Sequence, residues 1–287
     1  MIGVGLALAG VSALSAAMSH AFLKTGDDKL AVRVWSALVC AALALPVALW
    51  AGGLPAELWV LLALFAALSF VNQLSLVRSY RLSDFSHAYP VARGIVPLAL
   101  ALFGVVWLGD QLALSAIIGI ATITAGIVAL AAGRGMSRHG WAAAAFTGLT
   151  TVIYAALAAQ GMRTADNALA FLAWLFVTDG ILLPAFLLLQ SRGQASARLS
   201  AAWPVGWRSG LLTLLSFSTW SYAAKFAPLG AVAAIRESSV LIALVLAAWM
   251  LKEPMDRARI VAGILIVAGA VLIVMPPEWS GLTWRMS

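Results

Sequence analysis

The sequence predicts an all-α membrane protein with ten transmembrane helices, arranged as two inverted five-helix repeats. Three observations support this fold class. Of the 287 residues, 63% are hydrophobic and 10% are charged, whereas a soluble domain carries about 25% charged residues. The apolar residues form windows of about 20 residues, the length that spans a bilayer. Several features of the first half also recur in the second half at a nearly constant spacing.

Ten apolar windows qualify as spanning helices, and short connections rich in turn residues separate most of them. Strands of a β-barrel would alternate in polarity over segments of about ten residues, and these windows do not alternate. The longest connection, SRGQASARLSAAWPVGWR at 191–208, is small, polar and basic, so we expect a flexible loop there. The windows are 2–22, 30–51, 57–78, 86–108, 113–132, 141–162, 169–190, 207–226, 229–251 and 258–275.

The Lys and Arg residues predict the orientation. Of 18, thirteen lie near the odd-numbered connections, including Lys24 and Arg33, and three near the even-numbered side, including Arg163. Cytoplasmic connections carry the excess of positive charge, so both termini are expected outside. The basic residues stand singly, which argues against a nucleic-acid partner. A single cysteine, Cys40, excludes an intramolecular disulfide, and the first window lacks the basic start of a cleaved signal peptide.

Tryptophan follows the same helix boundaries. Seven tryptophans fall at window ends, as an interfacial belt requires: Trp50, Trp59, Trp107, Trp141, Trp207, Trp249 and Trp279. Trp35, Trp174 and Trp220 are expected deeper, where they either pack against neighbouring helices or line a cavity.

A duplication accounts for the recurring features. Three pairs are 143 residues apart and a fourth is 142 apart, which predicts one repeat at 1–135 and a second at 136–287. Because each repeat holds five helices, the second enters the membrane upside down, as in many secondary transporters. The pairs are Arg93 and Arg236, Asp110 and Glu253, Ala125-Gly126 and Ala268-Gly269, and Ser79-Tyr80 and Ser221-Tyr222.

Arg93 and Arg236 lie deep in the fourth and ninth windows. Each is about eight residues into its helix, or roughly 12 Å at 1.5 Å per residue, close to the half-thickness of the bilayer core of about 15 Å. A guanidinium at this depth faces protein or water. Two interpretations stay open: a clamp for a carboxylate, phosphate or phosphonate, or a structural tie to backbone carbonyls or to an internal acid such as Asp179.

Other deep polar and aromatic residues complete the candidate site. Glu237, Asp179 and His20 are candidates for proton coupling, because a carboxylate in a poor dielectric or a histidine can titrate near neutral pH. The alternatives are permanent salt bridges for the acids and an interfacial position for His20. The candidates for substrate contact are Arg236, Arg93, Trp220, Tyr222, Trp174, Ser239 and Gln73; some deep polar residues only link helices.

The ends of the fourth and ninth windows carry a family resemblance. The segments PLALALFGVVWLGDQLALSAIIGIATITAGIVAL (97–130) and SVLIALVLAAWMLKEPMDRARIVAGILIVAGAVLIV (239–274) each hold an apolar helix, an acidic residue, a polar turn and a glycine-bearing helix. This pattern resembles the EamA-type branch of the drug/metabolite transporter superfamily, including YddG-type exporters. Asp110 and Glu253 occupy the acidic positions. Pro97 matches the family proline, whereas Val240 replaces it in the second half, so the ninth helix is expected to be straighter.

The resemblance implies transport without ATP hydrolysis, with no cofactor and no metal. We expect a secondary transporter, an exporter of an amino acid or organic anion, that works by alternating access. We also expect a monomer in a bacterial inner membrane, with a small-molecule substrate and membrane lipids as partners. The alternatives are an intramembrane enzyme and a lipid flippase. An enzyme is disfavoured because the sequence shows no H-E-x-x-H, G-x-S-x-G or Walker motif, and its three histidines are scattered.

Overall fold

The chain folds into helices that form ten spans, which confirms the predicted fold class. The computed structural model describes residues 2–83, 85–131, 137–250 and 257–274. Two pairs of consecutive helices, α4 with α5 and α10 with α11, each form one interrupted span. The helices are α1 (Ile2–Thr25), α2 (Lys29–Ala51), α3 (Ala56–Leu82), α4 (Phe85–Arg93), α5 (Val96–Trp107), α6 (Leu114–Ala131), α7 (Arg138–Thr164), α8 (Ala168–Gln190), α9 (Ala195–Phe226), α10 (Leu229–Glu237), α11 (Ser239–Met250) and α12 (Arg257–Val274).

The outer surface of the helices is apolar, as a bilayer requires. Five helices, α1, α2, α3, α7 and α8, are each long and apolar enough to cross a membrane. Large apolar side chains point outward, and the tryptophans at helix ends are among them: Trp50 is 81% exposed and Trp249 is 77% exposed. In water such a surface would be an aggregation hazard, whereas lipid solvates it. The protein is therefore a multi-pass membrane protein.

Side-chain caps set the starts of several helices. The Asp28 side chain accepts a hydrogen bond from Ala31 N at the start of α2, and Asn167 accepts one from Ala170 N at the start of α8. Each cap satisfies a backbone N–H that the first helical turn leaves without a partner. The α2 cap places Lys29 at the first turn, so Arg33 lies one turn inside the helix.

The predicted flexible loop at 191–208 is wrong. Helix α9 begins at Ala195, so the connection after α8 is only four residues long, 191–194. Two contacts hold this first part of α9 to α2: Arg198 donates to Asp28 at 2.6 Å, and Trp35 Nε1 donates to Leu199 O at 2.7 Å. These partners are more than 160 residues apart in sequence, so local polarity carries no sign of them.

Both the fourth and ninth spans are interrupted near their arginines. Helix α4 ends at Arg93 and α5 begins at Val96, with Pro97 in its first turn. In the ninth span α10 ends at Glu237 and α11 begins at Ser239. The absence of a proline at Val240 therefore shortens the break to one residue without removing it. Glu253, the second acidic position of the family pattern, lies outside the described residues, as do Arg134, Lys252, Trp279 and Arg285.

The packing pattern is the one that two related halves would produce. Helix α1 packs on α9 and α7 packs on α3, while α2 packs on α8 and α6 on α12. If each helix from α1 to α6 is exchanged with the helix six places later, the contact of α1 with α9 becomes that of α7 with α3. The contacts of α2 with α8 and of α6 with α12 stay the same. The two-repeat division remains a prediction, and its boundary at 135–136 falls in a part of the chain that the structure does not describe.

Glycines allow a close crossing of α6 and α12 at two points. A Cβ at Gly119 would lie 2.6 Å from Gly269 O, and a Cβ at Gly126 would lie 3.1 Å from Ala262 O. Ala262 lies 143 residues after Gly119, and Gly126 lies 143 residues before Gly269. The repeat spacing in the sequence therefore converts one contact into the other.

Two cations cap the ends of α3 and α9 in the same way. Lys24 Nζ donates to Tyr80 O and Ser83 O, at 2.9 and 2.8 Å. Ser83 is the cap residue that follows the last residue of α3, and Tyr80 precedes it by three residues. Carbonyls at helix C-termini lack intrahelical partners, and a nearby cation stabilises them.

Arg163 is the corresponding cap for α9. Its Nε donates to Ala224 O at 2.8 Å and its Nη2 to Ala227 O at 3.1 Å, and Ala227 is the cap residue that follows α9. Asp110 joins this cluster: it accepts from Arg163 Nη1 at 2.6 Å and from Leu229 N, at the start of α10, at 2.6 Å. Asp110 is thus a structural residue that links the end of α5 to the start of α10.

Candidate functional site

A polar cavity lies at the centre of the helix bundle. Its volume is about 80 Å³, and residues of α1, α2, α3, α4, α7, α8, α9 and α10 line it. Such a volume holds several water molecules and is smaller than the roughly 300–1,000 Å³ of sites for drug-sized ligands. The predicted residues Arg93, Arg236, Gln73, Asp179 and His20 all line this cavity.

Arg93 contacts an acid, a histidine and an aromatic ring. Its Nη1 donates to Glu237 Oε1 at 3.1 Å, and the two side chains are 7% and 1% exposed. Its Nη2 donates to His20 Nε2 at 3.2 Å, and its guanidinium carbon lies 5.5 Å from the centre of the Tyr89 ring. The acid that pairs with Arg93 therefore comes from the second half of the chain, on α10.

His20 is neutral in this arrangement. An arginine only donates hydrogen bonds, so His20 Nε2 must be an acceptor, and its proton is on Nδ1, which is 3.1 Å from the Tyr80 hydroxyl. Both ring nitrogens are thus engaged. A role for His20 in proton coupling stays a prediction, and it requires that the contact with Arg93 first be broken.

Arg236 differs from Arg93 because it has no hydrogen-bond acceptor among the described residues. It is 6% exposed, and its Nε is buried without a partner. Its guanidinium carbon lies 5.4 Å from the centre of the Trp220 ring, which is itself fully buried. A cation over an aromatic ring gains some stabilisation, but its N–H groups still need acceptors. The guanidinium thus presents unused donors at the cavity wall.

Asp179 lies on α8, whereas the two arginines lie on α4 and α10. Its Oδ2 accepts a hydrogen bond from Gln73 Nε2 at 3.3 Å, and the Ser69 hydroxyl lies beside the carboxylate. Its Oδ1 is buried and has no hydrogen-bond partner in the described part of the chain. Asp179 is therefore not the hydrogen-bonded partner of Arg236 that the sequence allowed, and it forms a separate acidic feature of the cavity.

Arg33 is a functional candidate that the sequence analysis missed. It was counted with the cytoplasmic connections, yet its Nε donates to Gln73 Oε1 at 2.9 Å inside the cavity. The missed signal is a polar stripe on α2: Arg33, Ser36 and Cys40 line the cavity at spacings of three and four residues, which places them on one helix face.

Aromatic side chains form an apolar wall of the cavity. Phe65, Tyr154, Phe176 and Phe217 all line it, and their rings meet mainly edge to face at centroid distances of 5.5–5.8 Å. Such pairs add stability beyond the area they bury. The cavity therefore combines charged groups of both signs with an apolar side.

The remaining predicted residues do not line the cavity. Trp220 lies behind Arg236, and Ser239 is buried with its Oγ 2.8 Å from the Tyr89 hydroxyl. Tyr222 is partly buried and stacks on Phe226. Trp174 donates to Gly52 O at 2.9 Å and packs on Trp59 near the start of α3. Trp174 is therefore at a helix end rather than deep in the bundle.

Part of the chain matches a known family, and its fold is similar to that of a solved structure. Residues 139–275 match the EamA-like transporter family. A solved structure described as "Crystal structure of protein" is similar over 96% of this chain and 98% of that chain, with a TM-score of 0.70 at 18% identity, a similarity that concerns the fold. No curated protein matches the sequence. The YddG-type subgroup remains a prediction.

The matched segment contains α7 to α12 and, with them, Arg236, Glu237 and Asp179. An EamA-like transporter family domain is therefore present at residues 139–275.

Proposed function

We propose that this protein is a secondary transporter that exports a small metabolite with a carboxylate group, an amino acid or an organic anion. It carries this metabolite through the central cavity by alternating access between its two halves. Arg236 binds the carboxylate. Export, alternating access and an inner-membrane location follow from the family resemblance, whereas the substrate class is argued from the cavity.

The observation that carries the proposal is the unpartnered guanidinium of Arg236. An unpaired charge in a buried site is costly, and it is retained where a ligand completes it. The arginine fork matches a carboxylate, because two parallel N–H groups meet two oxygens. The small cavity volume of about 80 Å³ favours a metabolite with few non-hydrogen atoms over a drug-sized molecule.

Asp179 favours an amino acid over a simple organic anion. It contributes a carboxylate oxygen, Oδ1, that lacks a hydrogen-bond partner in the described residues. A zwitterion would satisfy both groups, its carboxylate on Arg236 and its ammonium on Asp179. The apolar wall of Phe65, Phe176 and Phe217 would then accommodate a side chain.

Neither alternative class gains support from the cavity. The charged lining suits a soluble ion better than the acyl chains of a lipid-linked substrate, and the matched family is one of transporters. We therefore retain transport as the function.

The experiment is a thermal-shift panel on the detergent-purified protein. A ligand that binds the folded state raises the melting temperature by mass action. We expect amino acids or organic acids to raise it, whereas cationic drugs do not. The shift should vanish in Arg236→Gln and persist in Arg208→Gln, a control that removes an exposed arginine elsewhere on α9.

Direction is tested with the same variants in vesicles. Protein reconstituted in known orientation is given the compound that raises the melting temperature, and its movement is followed in both directions. An active ligand that Arg236→Gln binds and transports as well as the parent protein contradicts the role of Arg236. A response to cations alone would shift the site to Asp179 and Glu237.

A further inference from the structure

A second site lies outside the cavity, in a groove between α3 and α7. The groove has a volume of about 440 Å³. Each helix contributes residues at spacings of three, four and seven, so one face of each helix forms one wall. The α3 wall consists of Val71, Leu74, Ser75 and Arg78, and the α7 wall consists of His139, Ala142, Ala143 and Phe146.

One end of the groove is basic. Arg78 and His139 are exposed there, and Arg138, next in the chain, is also exposed. None of the three has an ion pair or hydrogen-bonded acid among the described residues. Arg78 lies one turn before the end of α3 and His139 lies in the first turn of α7, so both lie where these helices are expected to leave the bilayer.

The other end of the groove is apolar and runs toward the membrane centre. Val71 is 39% exposed and Phe146 is 47% exposed. Seven residues separate Val71 from Arg78, which is roughly 10 Å along the helix. The groove therefore has a cationic mouth followed by an apolar channel, the same order as the phosphate and acyl chain of a phospholipid.

We propose that this groove binds an anionic phospholipid, with its phosphate on Arg78 and His139 and an acyl chain against Val71, Leu74 and Phe146. Basic pockets between helices on the cytoplasmic side are typical places for anionic headgroups, and the predicted orientation puts this end of α3 and α7 on that side. The inference is independent of the substrate proposed for the cavity.

The seam beneath the groove connects it to the cavity. Ser75 Oγ donates to Ala143 O at 2.8 Å, and Thr147 Oγ1 donates to Ser75 Oγ at 2.9 Å. Asn72 Nδ2 donates to Thr147 O at 2.8 Å, and both Asn72 and Thr147 line the central cavity. A lipid in the groove thus contacts the residues that join the two helices forming one cavity wall, and it should stabilise that wall.

The test is native mass spectrometry of the full chain in detergent, titrated with phosphatidylglycerol or phosphatidylcholine of matched chain length. We expect one phosphatidylglycerol to bind more tightly than phosphatidylcholine. Each basic residue near an anionic headgroup contributes about a fivefold gain in affinity. Arg78→Gln should therefore weaken phosphatidylglycerol binding about fivefold. Arg192→Gln, which removes an exposed arginine that does not line this groove, should leave it unchanged.

A second variant distinguishes lipid binding in the groove from nonspecific attraction of an anionic lipid to the surface charges. Ala142→Phe keeps every charge but fills the groove with a ring, and Ala142 is exposed, so the fold should tolerate it. We expect this variant to lose the preferred phosphatidylglycerol. Excess inorganic phosphate should not displace the lipid. Unchanged binding in Ala142→Phe, equal losses in the Arg78 and Arg192 variants, or no preference between the two lipids would each overturn the proposal.

Discussion

Arg93 and Arg236 occupy matched positions and behave differently. Each lies in the last turn of the first half of an interrupted span, and each is 6% exposed. Arg93 donates to Glu237 and His20, whereas Arg236 has no hydrogen-bond acceptor in the described residues. The predicted duplication therefore indicates where the guanidinium groups lie, but not whether they have hydrogen-bond acceptors.

The difference traces to one position in each half. Glu237 follows Arg236, and the residue 143 positions earlier is Gly94, which follows Arg93. One half supplies an acid and the other half supplies none, so this pair of positions provides one carboxylate for two guanidinium groups. Because adjacent residues on a helix point apart, Glu237 reaches across to Arg93 rather than to its own neighbour. Arg236 is left for a ligand.

The largest expected effect comes from breaking the ion pair between Arg93 and Glu237. Arg93→Gln leaves Glu237 buried without its hydrogen-bonded cation, which should cost about 3–5 kcal/mol of stability. The double variant Arg93→Gln with Glu237→Gln removes both charges and should recover most of that loss. Thermal melting in detergent without ligand measures both. A double variant no more stable than Arg93→Gln would show that the ion pair is not the source of the loss.

Arg236→Gln should act in the opposite direction in the absence of ligand. It removes a buried charge that lacks an acceptor, and an unsatisfied buried polar group costs about 1–3 kcal/mol. We expect the unliganded variant to melt at the same temperature as the parent protein or higher. A large fall in the melting temperature would mean that Arg236 has a structural role like that of Arg93.

Asp179→Asn sharpens the assignment of the second charged group in the cavity. Losing a charge-assisted hydrogen bond costs about 1.5–3 kcal/mol, or more than tenfold in affinity. The loss should appear for amino acids and be absent for carboxylates without an ammonium group. Thermal-shift titrations with matched pairs of such compounds measure this. Equal losses for both classes would place Asp179 outside the contact with the ammonium group.

The smallest expected effect on stability comes from the ion pair of Asp28 and Arg198. Burial opposes ionisation of Asp28, but hydrogen bonds from Arg198 and Ala31 N outweigh it, so the pKa lies below the ordinary 3.8. A lowered pKa in the folded protein contributes stability above the ordinary pKa, and this stability is lost as the pH falls through the folded pKa. The side chains are 27% and 25% exposed, so we expect at most about 1 kcal/mol.

The measurement is the melting temperature between neutral pH and pH 3, for the parent protein and Asp28→Asn. The melting temperature of the parent protein should fall toward that of the variant as the pH drops below 3.8, the ordinary pKa of an aspartate. A constant difference between the two proteins across this range would contradict the assignment.

Much of the fold could be predicted from the sequence, because lipid solvation makes hydropathy a direct signal. The spans follow from apolar length, and the depth of Arg93 and Arg236 follows from counting residues along a helix. Gln73 and Asp179 are expected in the interior, and they line the cavity. His20, predicted at the end of the first helix, also lines it.

The errors have a common physical cause. Arg33 and the start of α9 were assigned from local charge and polarity, which cannot show that a distant partner offsets the cost. Arg33 donates to Gln73, 40 residues away, and Arg198 donates to Asp28, 170 residues away. Trp174 was placed by depth along α8, whereas its indole N–H turns to a carbonyl at the end of α2. The hydrogen-bond partner of each of these side chains is set by the tertiary structure, not by the local sequence.

The crossing of α6 and α12 has a practical consequence. Two rods that touch at one point can pivot, but two rods that touch at two points cannot turn about each other. Gly119 and Gly126 are seven residues, or roughly 10 Å, apart, and each lies against the backbone of the opposite helix. We therefore expect α6 and α12 to keep their relative orientation, so spectroscopic labels on this pair would give a reference from which movements of the cavity helices are measured.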